Sequence, residues 1–385
     1  LGNLKEVFDL SKSLKLIKVT LPPMPPQVWQ LQTSQVPFSS NHRPQWNGGR
    51  KTLKLVSTRI HFAGLSWQHL LLATCFLLPL FGCKPSSSSP TDSSTKPVLV
   101  ATTGMIADIV SRLTEEDAEV IQLMGDGVDP HLYKPTRDDM IRLTNADIVF
   151  YNGLMLEGKM QELLARDSSS QKFIAVTKDI PQQNLLGGEI HADPHVWMDV
   201  RLWKIALSTM TEELCRKLPQ HTDKIRDRFK KLEIEFDALH SYGLKAIESI
   251  PKDQRILITS HDAFQYFGKA YGLEVQAIQG ISTESEAGLQ RINEIVDLIV
   301  TRKIPAVFVE SSVPRDTIEA VVQGAEARGH KIKIGAELFS DALGATGTYE
   351  GTYPGMLDHN FTSVTRGLGG NAPPQGMNQK LSKLE

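Results

Sequence analysis

A rhythm that occurs twice limits the folds open to this chain more than any other feature. Short runs rich in Val, Ile and Phe stand at residues 98–102, 120–124, 147–151 and 173–176, with helical spacing of apolar residues after 104, from 136 and over 154–164. The same alternation restarts after Pro251, with strand-like runs at 255–259, 273–278, 306–309 and 331–334. Helical stretches at 263–271, 286–302 and 314–328 separate them, and a Gly-rich stretch, 335–355, precedes a last helix over 356–368. Strands that alternate with helices imply right-handed crossovers and mainly parallel sheets with both faces covered. The fold class expected is therefore α/β, two similar lobes with mainly parallel sheets.

Between the two series, a helix over 201–218 stops at Pro219, and a highly charged segment, 220–249, follows. Its apolar residues Ile225, Phe229, Leu232, Phe236, Leu239 and Ile247 alternate steps of four and three, with Gly243 in the one missing place. This predicts an amphipathic helix on the order of 45 Å long at 1.5 Å per residue, enough to run along both lobes. A coiled-coil seam is the other reading of the pattern. The domains expected are an N-terminal lobe at 98–219, a linking helix at 220–250 and a C-terminal lobe at 251–385, with a cleft between the lobes.

Residues 1–82 belong to neither lobe. They hold nine Lys and Arg and two acids, and the run from Leu70 to Phe81 is twelve uncharged residues, the length of a signal-peptide core and short for a membrane span. The following Gly82-Cys83 resembles a bacterial lipobox, so Cys83 is the expected lipidation site and 83–97, rich in Ser, Pro and Thr, a flexible tether. Much of 1–50 is expected to be upstream sequence. The whole chain has 42 Lys+Arg and 44 Asp+Glu; without residues 1–82 it has 33 and 42, a net charge of −9. Such an acidic surface argues against nucleic acid as a partner. With Cys83 acylated only Cys215 remains, so no intramolecular disulfide is expected.

The tripeptide Asp-Pro-His occurs at Asp129-Pro130-His131 and again at Asp193-Pro194-His195, inside His191-Ala-Asp-Pro-His195-Val-Trp-Met-Asp199. Proline fixes its own φ and pushes the preceding residue out of helical geometry, so each tripeptide reads as a rigid surface loop that aims an imidazole. Either alone could equally be an unrelated turn with a surface histidine. His261 directly follows the apolar run Ile256-Leu-Ile-Thr259-Ser260, Glu310 follows Ala306-Val-Phe-Val309, and Asp341 lies in the loop after the last strand. Ligands of parallel sheets bind outside the carboxyl ends of the strands, so His131 and His195 can meet His261 and Asp341 across the cleft. Three imidazoles and a carboxylate make a tetrahedral set for a divalent transition metal. Glu310 and His191 are candidates to support the site without binding metal. His221, His240 and His330 read as surface residues, and His359, next to Asp358, as a surface residue or a support of the site.

The Asp-Pro-His loops, Asn152-Gly153-Leu-Met-Leu-Glu157, Thr259-Ser-His-Asp-Ala-Phe-Gln-Tyr-Phe267 and Glu337-Leu-Phe-Ser-Asp341 together resemble the zinc and manganese solute-binding lipoproteins of ABC importers. The likeness runs from Val98 to about Leu368. It implies metal ligands at His131, His195, His261 and Asp341, a linking helix that restricts opening, an ABC permease and its ATPase as partners, and a monomer anchored by lipid outside the cytoplasm. In that family a histidine at the place of His261 goes with Zn²⁺ and a glutamate with Mn²⁺. The His-rich loop common in the zinc branch is missing from 181–190. Three nitrogen ligands favour Zn²⁺ over Mn²⁺, which prefers oxygen.

Two other functions could use such residues. A metallohydrolase keeps three protein ligands and an open position for water, whereas four ligands close the site, and the sequence has no His-Glu-x-x-His stretch. A surface adhesin is compatible with a lipid anchor but has no residue pattern of its own.

Overall fold

The computed structural model describes residues 96–166, 171–188 and 191–382. The apolar run at 70–81, Cys83 and most of the tether lie outside the described residues.

The first series forms a four-stranded, all-parallel sheet in the order β2-β1-β3-β4, from β1 (Val98–Ala101), β2 (Glu119–Gln122), β3 (Ile148–Tyr151) and β4 (Phe173–Ala175). Helices α1 (Gly104–Thr114), α2 (Arg137–Asn145) and α3 (Gln161–Arg166) connect its strands. Ile148 to Tyr151 is buried throughout, as a central parallel strand covered on both faces must be. The capping box expected at 136–139 is present: the Thr136 hydroxyl accepts the Asp139 N–H at 3.2 Å, and the Asp139 carboxylate accepts the Thr136 N–H at 2.8 Å.

The second series repeats the arrangement with shorter strands. β5 (Ile256–Thr259) pairs in parallel with β6 (Glu274–Ala277), and β7 (Ala306–Val307) with β8 (Lys333–Ile334). A hydrogen bond of 3.0 Å from the Phe308 N–H to the Ile258 carbonyl joins the two pairs, which gives the order β6-β5-β7-β8, the same pattern as in the first sheet. Helices α6 (Gln265–Tyr271), α7 (Leu289–Arg302) and α8 (Asp316–Ala327) connect them.

Between the series run α4 (Val200–Lys217) and α5 (Thr222–Glu248), separated by a single 3-10 turn at Pro219–His221. At 27 residues α5 is about 40 Å long. Its buried stripe is Ile225, Leu232, Phe236, Leu239, Gly243, Ala246 and Ile247. The gap at Gly243 has a packing cause: a Cβ there would lie 2.5 Å from the ring of Phe361, on the closing helix α9 (Tyr353–Gly367). So α5 is sheathed by its own chain, which removes the coiled-coil reading of that face.

One apolar core joins the halves. It contains Leu99 and Phe150 from the first sheet, Leu257 and Phe308 from the second, Phe236 of α5 and Phe361 of α9. Smaller cores back each sheet on its far side.

Three local expectations are corrected. Residues 154–164 do not form one helix: Leu154 and Met155 take φ of 53° and 68°, a 3-10 turn spans Gly158–Met160, and α3 begins only at Gln161. The Glu157 side chain turns inward to accept the Asn152 N–H at 2.5 Å and the Thr102 hydroxyl at 2.9 Å, which folds the chain back before a helix can start. The closing helix starts at Tyr353 instead of 356, because Thr352 caps it and Pro354 is tolerated in a first turn. The loop carrying His195 is not on the surface: Asp193 through Val200 is buried.

Candidate metal centre

Both Asp-Pro-His tripeptides make the same turn. The Asp129 carboxylate accepts the His131 N–H at 2.8 Å, and the Asp193 carboxylate accepts the His195 N–H at 3.0 Å. An aspartate that bonds the backbone two residues on forms an Asx turn, and proline between the two stiffens it. Each loop thus presents its imidazole at a fixed angle. His261 is set differently, two residues past the end of β5, where its carbonyl accepts the Thr259 hydroxyl at 3.0 Å and its N–H donates to Glu310 at 2.9 Å. The loop after β8 supplies Asp341.

These side chains converge. One ligand atom from each of His131, His195, His261 and Asp341 lies within 4.8 Å of the others, and all four residues are buried. His131 Nε2 is 3.2 Å from His195 Nε2; Asp341 Oδ1 is 3.4 Å from His195 Nε2, and Oδ2 is 3.1 Å from His261 Nε2. Nitrogens bound tetrahedrally to zinc at 2.0–2.1 Å stand about 3.3 Å apart, so the donor spacing matches a small divalent ion. Among the described residues, His261 Nε2 and Asp341 Oδ1 meet nothing in good hydrogen-bond geometry beyond these ion-pair contacts, which leaves both atoms directed at the centre of the set, where a cation would sit.

Carboxylates hold two of the rings from behind. Asp193 Oδ1 lies 2.7 Å from His195 Nδ1, and Glu310 Oε2 lies 2.5 Å from His261 Nδ1. A carboxylate at Nδ1 keeps the proton there and leaves the Nε2 lone pair free for metal. Glu310 thus stands behind His261 as Asp193 stands behind His195.

The electrostatics divide the histidines. Burial pulls His131 down to about 4. Burial opposes the charge on His195 too, but Asp193 and Asp341 overcome it and lift the ring to about 9. His261 is raised well above the ordinary value because Glu310 and Asp341 outweigh its burial. Asp341, though buried, is held well below the ordinary carboxyl range by His261 and His195.

His191 is exposed and outside this cluster. It lines a cavity of about 450 Å³ together with His131, Lys159, Ile281 and Glu284. Among the other histidines, His221 Nδ1 stands 3.2 Å from Asp117, His330 Nε2 2.8 Å from the Ile304 carbonyl and His359 Nε2 2.7 Å from the Glu337 carbonyl. All three, read as surface residues, are half-buried, as is His240, whose Nδ1 stands 3.2 Å from the Tyr271 hydroxyl. Sequence reasoning passed over Trp197, Tyr266 and Tyr353, whose polar atoms reach the ligand loops; all three rings lie in the apolar core, and nothing beside them in the sequence marks the bonds their polar atoms make.

Residues 99–367 match the family described as zinc-uptake complex component A, periplasmic (ZnuA). The chain is 45% identical over 274 residues to the zinc-binding protein TroA of Treponema pallidum, covering 71% of this chain and 89% of that protein. It is 42% identical over 304 residues to the manganese-binding lipoprotein MntA of Bacillus subtilis, covering 78% and 99%. The solved structure of TroA superposes with a TM-score of 0.70 at 44% identity, covering 71% of this chain and 99% of that one. Iron(III)-bound YtgA from Chlamydia trachomatis superposes at 0.66 with 26% identity, covering 72% and 99%.

Proposed function

From the premise that this chain belongs to the ZnuA family of metal-binding, solute-binding components of ABC importers, which are not enzymes, we propose that it captures Zn²⁺ through His131, His195, His261 and Asp341 and delivers it to a membrane permease with its ATPase. The observation that carries this reading is the convergence of the four donors within 4.8 Å in a buried pocket. Three imidazole nitrogens and one carboxylate are a borderline-soft set, which favours zinc over oxygen-seeking manganese. Four protein donors leave no position for an activated water, in keeping with a cargo site.

In this reading residues 98–219 and 251–385 act as two halves around the linking helix at 220–250. The chain works outside the cytoplasm, as a monomer tethered by 83–97 to a lipid on Cys83. Handing on the ion requires the four-donor set to open.

Manganese as the main cargo of the same site is the second reading, and the 42% identity to manganese-binding MntA favours it. Competitive titration of Zn²⁺ and Mn²⁺ into metal-free protein separates the two. Zinc is expected to displace manganese at equal concentration; displacement of zinc by manganese would overturn the choice of metal.

A further inference from the structure

The His195 loop belongs to the first half by sequence, yet most of its side-chain ties run to the second. The Trp197 indole N–H donates to the carbonyl of Ser340, next to Asp341, at 2.9 Å. The Tyr353 hydroxyl donates to the Trp197 carbonyl at 2.8 Å. The Tyr266 hydroxyl donates to the Asp193 carbonyl at 3.0 Å and accepts the Leu186 N–H at 2.9 Å. One tie runs the other way, from Asn152 Nδ2 to the Pro194 carbonyl at 3.1 Å. Asp193, Trp197, Tyr266, Ser340 and Tyr353 are all buried, so breaking these bonds strands polar atoms away from water.

His131 is fastened to the second half in another way. The Thr283 hydroxyl donates to Asp129, Lys159 pairs with Glu284 at 2.6 Å, and the Thr346 N–H and hydroxyl donate to Asp126 at 2.8 and 2.9 Å. Lys159 and Glu284 side chains are 52% and 46% exposed, and Asp126 and Thr346 are exposed as well. Water replaces such partners at little cost. His131 is also the one member of the four-residue cluster that lines the 450 Å³ cavity beside Lys159, His191 and Glu284.

We propose that Trp197, Tyr266 and Tyr353 are positioning residues that bind the His195 loop to the segments carrying His261 and Asp341, making a rigid three-donor unit from which His131 alone detaches when the metal enters or leaves. This rests on the ligand set given under Proposed function. The ion then reaches the site from the cavity, meets three donors already in place, and is closed over by His131. In release the order reverses: the exposed Lys159–Glu284 and Asp126–Thr346 pairs give way first, and the part-buried Thr283–Asp129 bond follows.

The test uses His131→Ala, His195→Ala, His261→Ala and Asp341→Ala, with zinc affinity read by chelator competition and donor geometry by the visible spectrum of bound Co²⁺. His131→Ala is expected to lose the least affinity and to keep a four-coordinate cobalt spectrum, with solvent in the vacated place; the other three lose more. Trp197→Phe is expected to speed zinc dissociation about tenfold, as loss of a group that orients a ligand does. Tyr266→Phe, which removes only a hydroxyl, is the second variant should Trp197→Phe fail to fold. A loss at His131→Ala equal to or above the others, or an unchanged dissociation rate in a folded positioning variant, overturns the proposal and leaves the ligand set standing. If none of the four alanine variants loses zinc, the ligand set itself fails, and the proposal with it.

Discussion

Replacing Glu310 by Gln tests whether a carboxylate behind the metal site sets the affinity. In the native chain one oxygen accepts the His261 N–H at 2.9 Å and the other lies 2.5 Å from His261 Nδ1. Two donors therefore need two acceptor oxygens, and glutamine has one. If its oxygen faces Nδ1, its amide nitrogen confronts the backbone N–H; if its nitrogen faces Nδ1, the ring proton must move to Nε2, the atom that should bind metal. Either way a buried donor is left unpaired or the ring is in the wrong tautomer, at a cost of about 1–3 kcal/mol. At about 1.4 kcal/mol per tenfold that is roughly a five- to 150-fold loss of zinc affinity, within reach of the 10–100-fold usual for such partners. Part of the loss is returned at low pH, because the same substitution removes the charge that helps lift His261, and the competing proton is held less tightly. Chelator competition at pH 8 and pH 6 should show a large loss at the higher pH and a smaller one at the lower. An affinity within threefold of wild type at pH 8, in a variant with a native circular dichroism spectrum, would refute the reasoning.

Saturating zinc should raise the melting temperature of the metal-free protein by mass action, and equal melting of the two forms would remove the four-donor site. Gly243→Ala should destabilise the fold by about 1–3 kcal/mol in urea denaturation, since its Cβ meets a Phe361 ring packed against both Phe267 and Tyr271; a neutral result would show that α9 can shift. Glu157, buried without a cation and pushed up by that burial to about 7 from 4.5, should make stability fall as pH rises. The folded state holds the proton more tightly than the unfolded one, so this contribution is complete below 4.5 and lost through pH 7, by about 3 kcal/mol. Denaturation at pH 5 and pH 8 should show the drop in wild type and a smaller one in Glu157→Gln; equal drops count against it. Zinc binding at pH 7 should release about two protons, from His195 and His261, measurable by calorimetry in buffers of different ionisation enthalpy; release of none would show that both rings are neutral before metal arrives.

The two sheets were legible because strand and helix periodicities leave separate marks, and parallel topology then puts strand ends and ligand loops on one side. Asp129 and Asp193 announced their turns through the proline that follows each. What stayed hidden depends on contacts distant in sequence. Nothing local to Trp197 says that its N–H meets Ser340, 143 residues on. Leu154 to Leu164 carries apolar residues at helical spacing, but the pull of Asn152 and Thr102 on Glu157 decides the backbone there. His195 looked like a surface residue because loops usually are, and the aromatic core it is buried in draws on both halves of the chain.

The charges suggest why a buried site of this kind can be filled and emptied without rebuilding the fold. In the metal-free site His195 and His261 are biased toward the charged form and His131 toward the neutral one, while Asp341 is ionised. With both rings charged, their two protons are balanced by the carboxylates of Asp193, Glu310 and Asp341 that face them. A divalent cation that displaces those two protons brings in the charge it removes, so the sum inside the low-dielectric core is the same before and after. Uncompensated burial of a doubly charged ion would carry a desolvation cost far beyond a domain's net stability, whereas an exchange of equal charge avoids it. The proton is then a competitor at neutral pH, not merely below the ordinary histidine range near 6.5, and zinc affinity should keep climbing toward the value near 9 at which His195 loses its own. His131, already neutral, contributes nothing to that exchange, which suits a donor that leaves and returns alone.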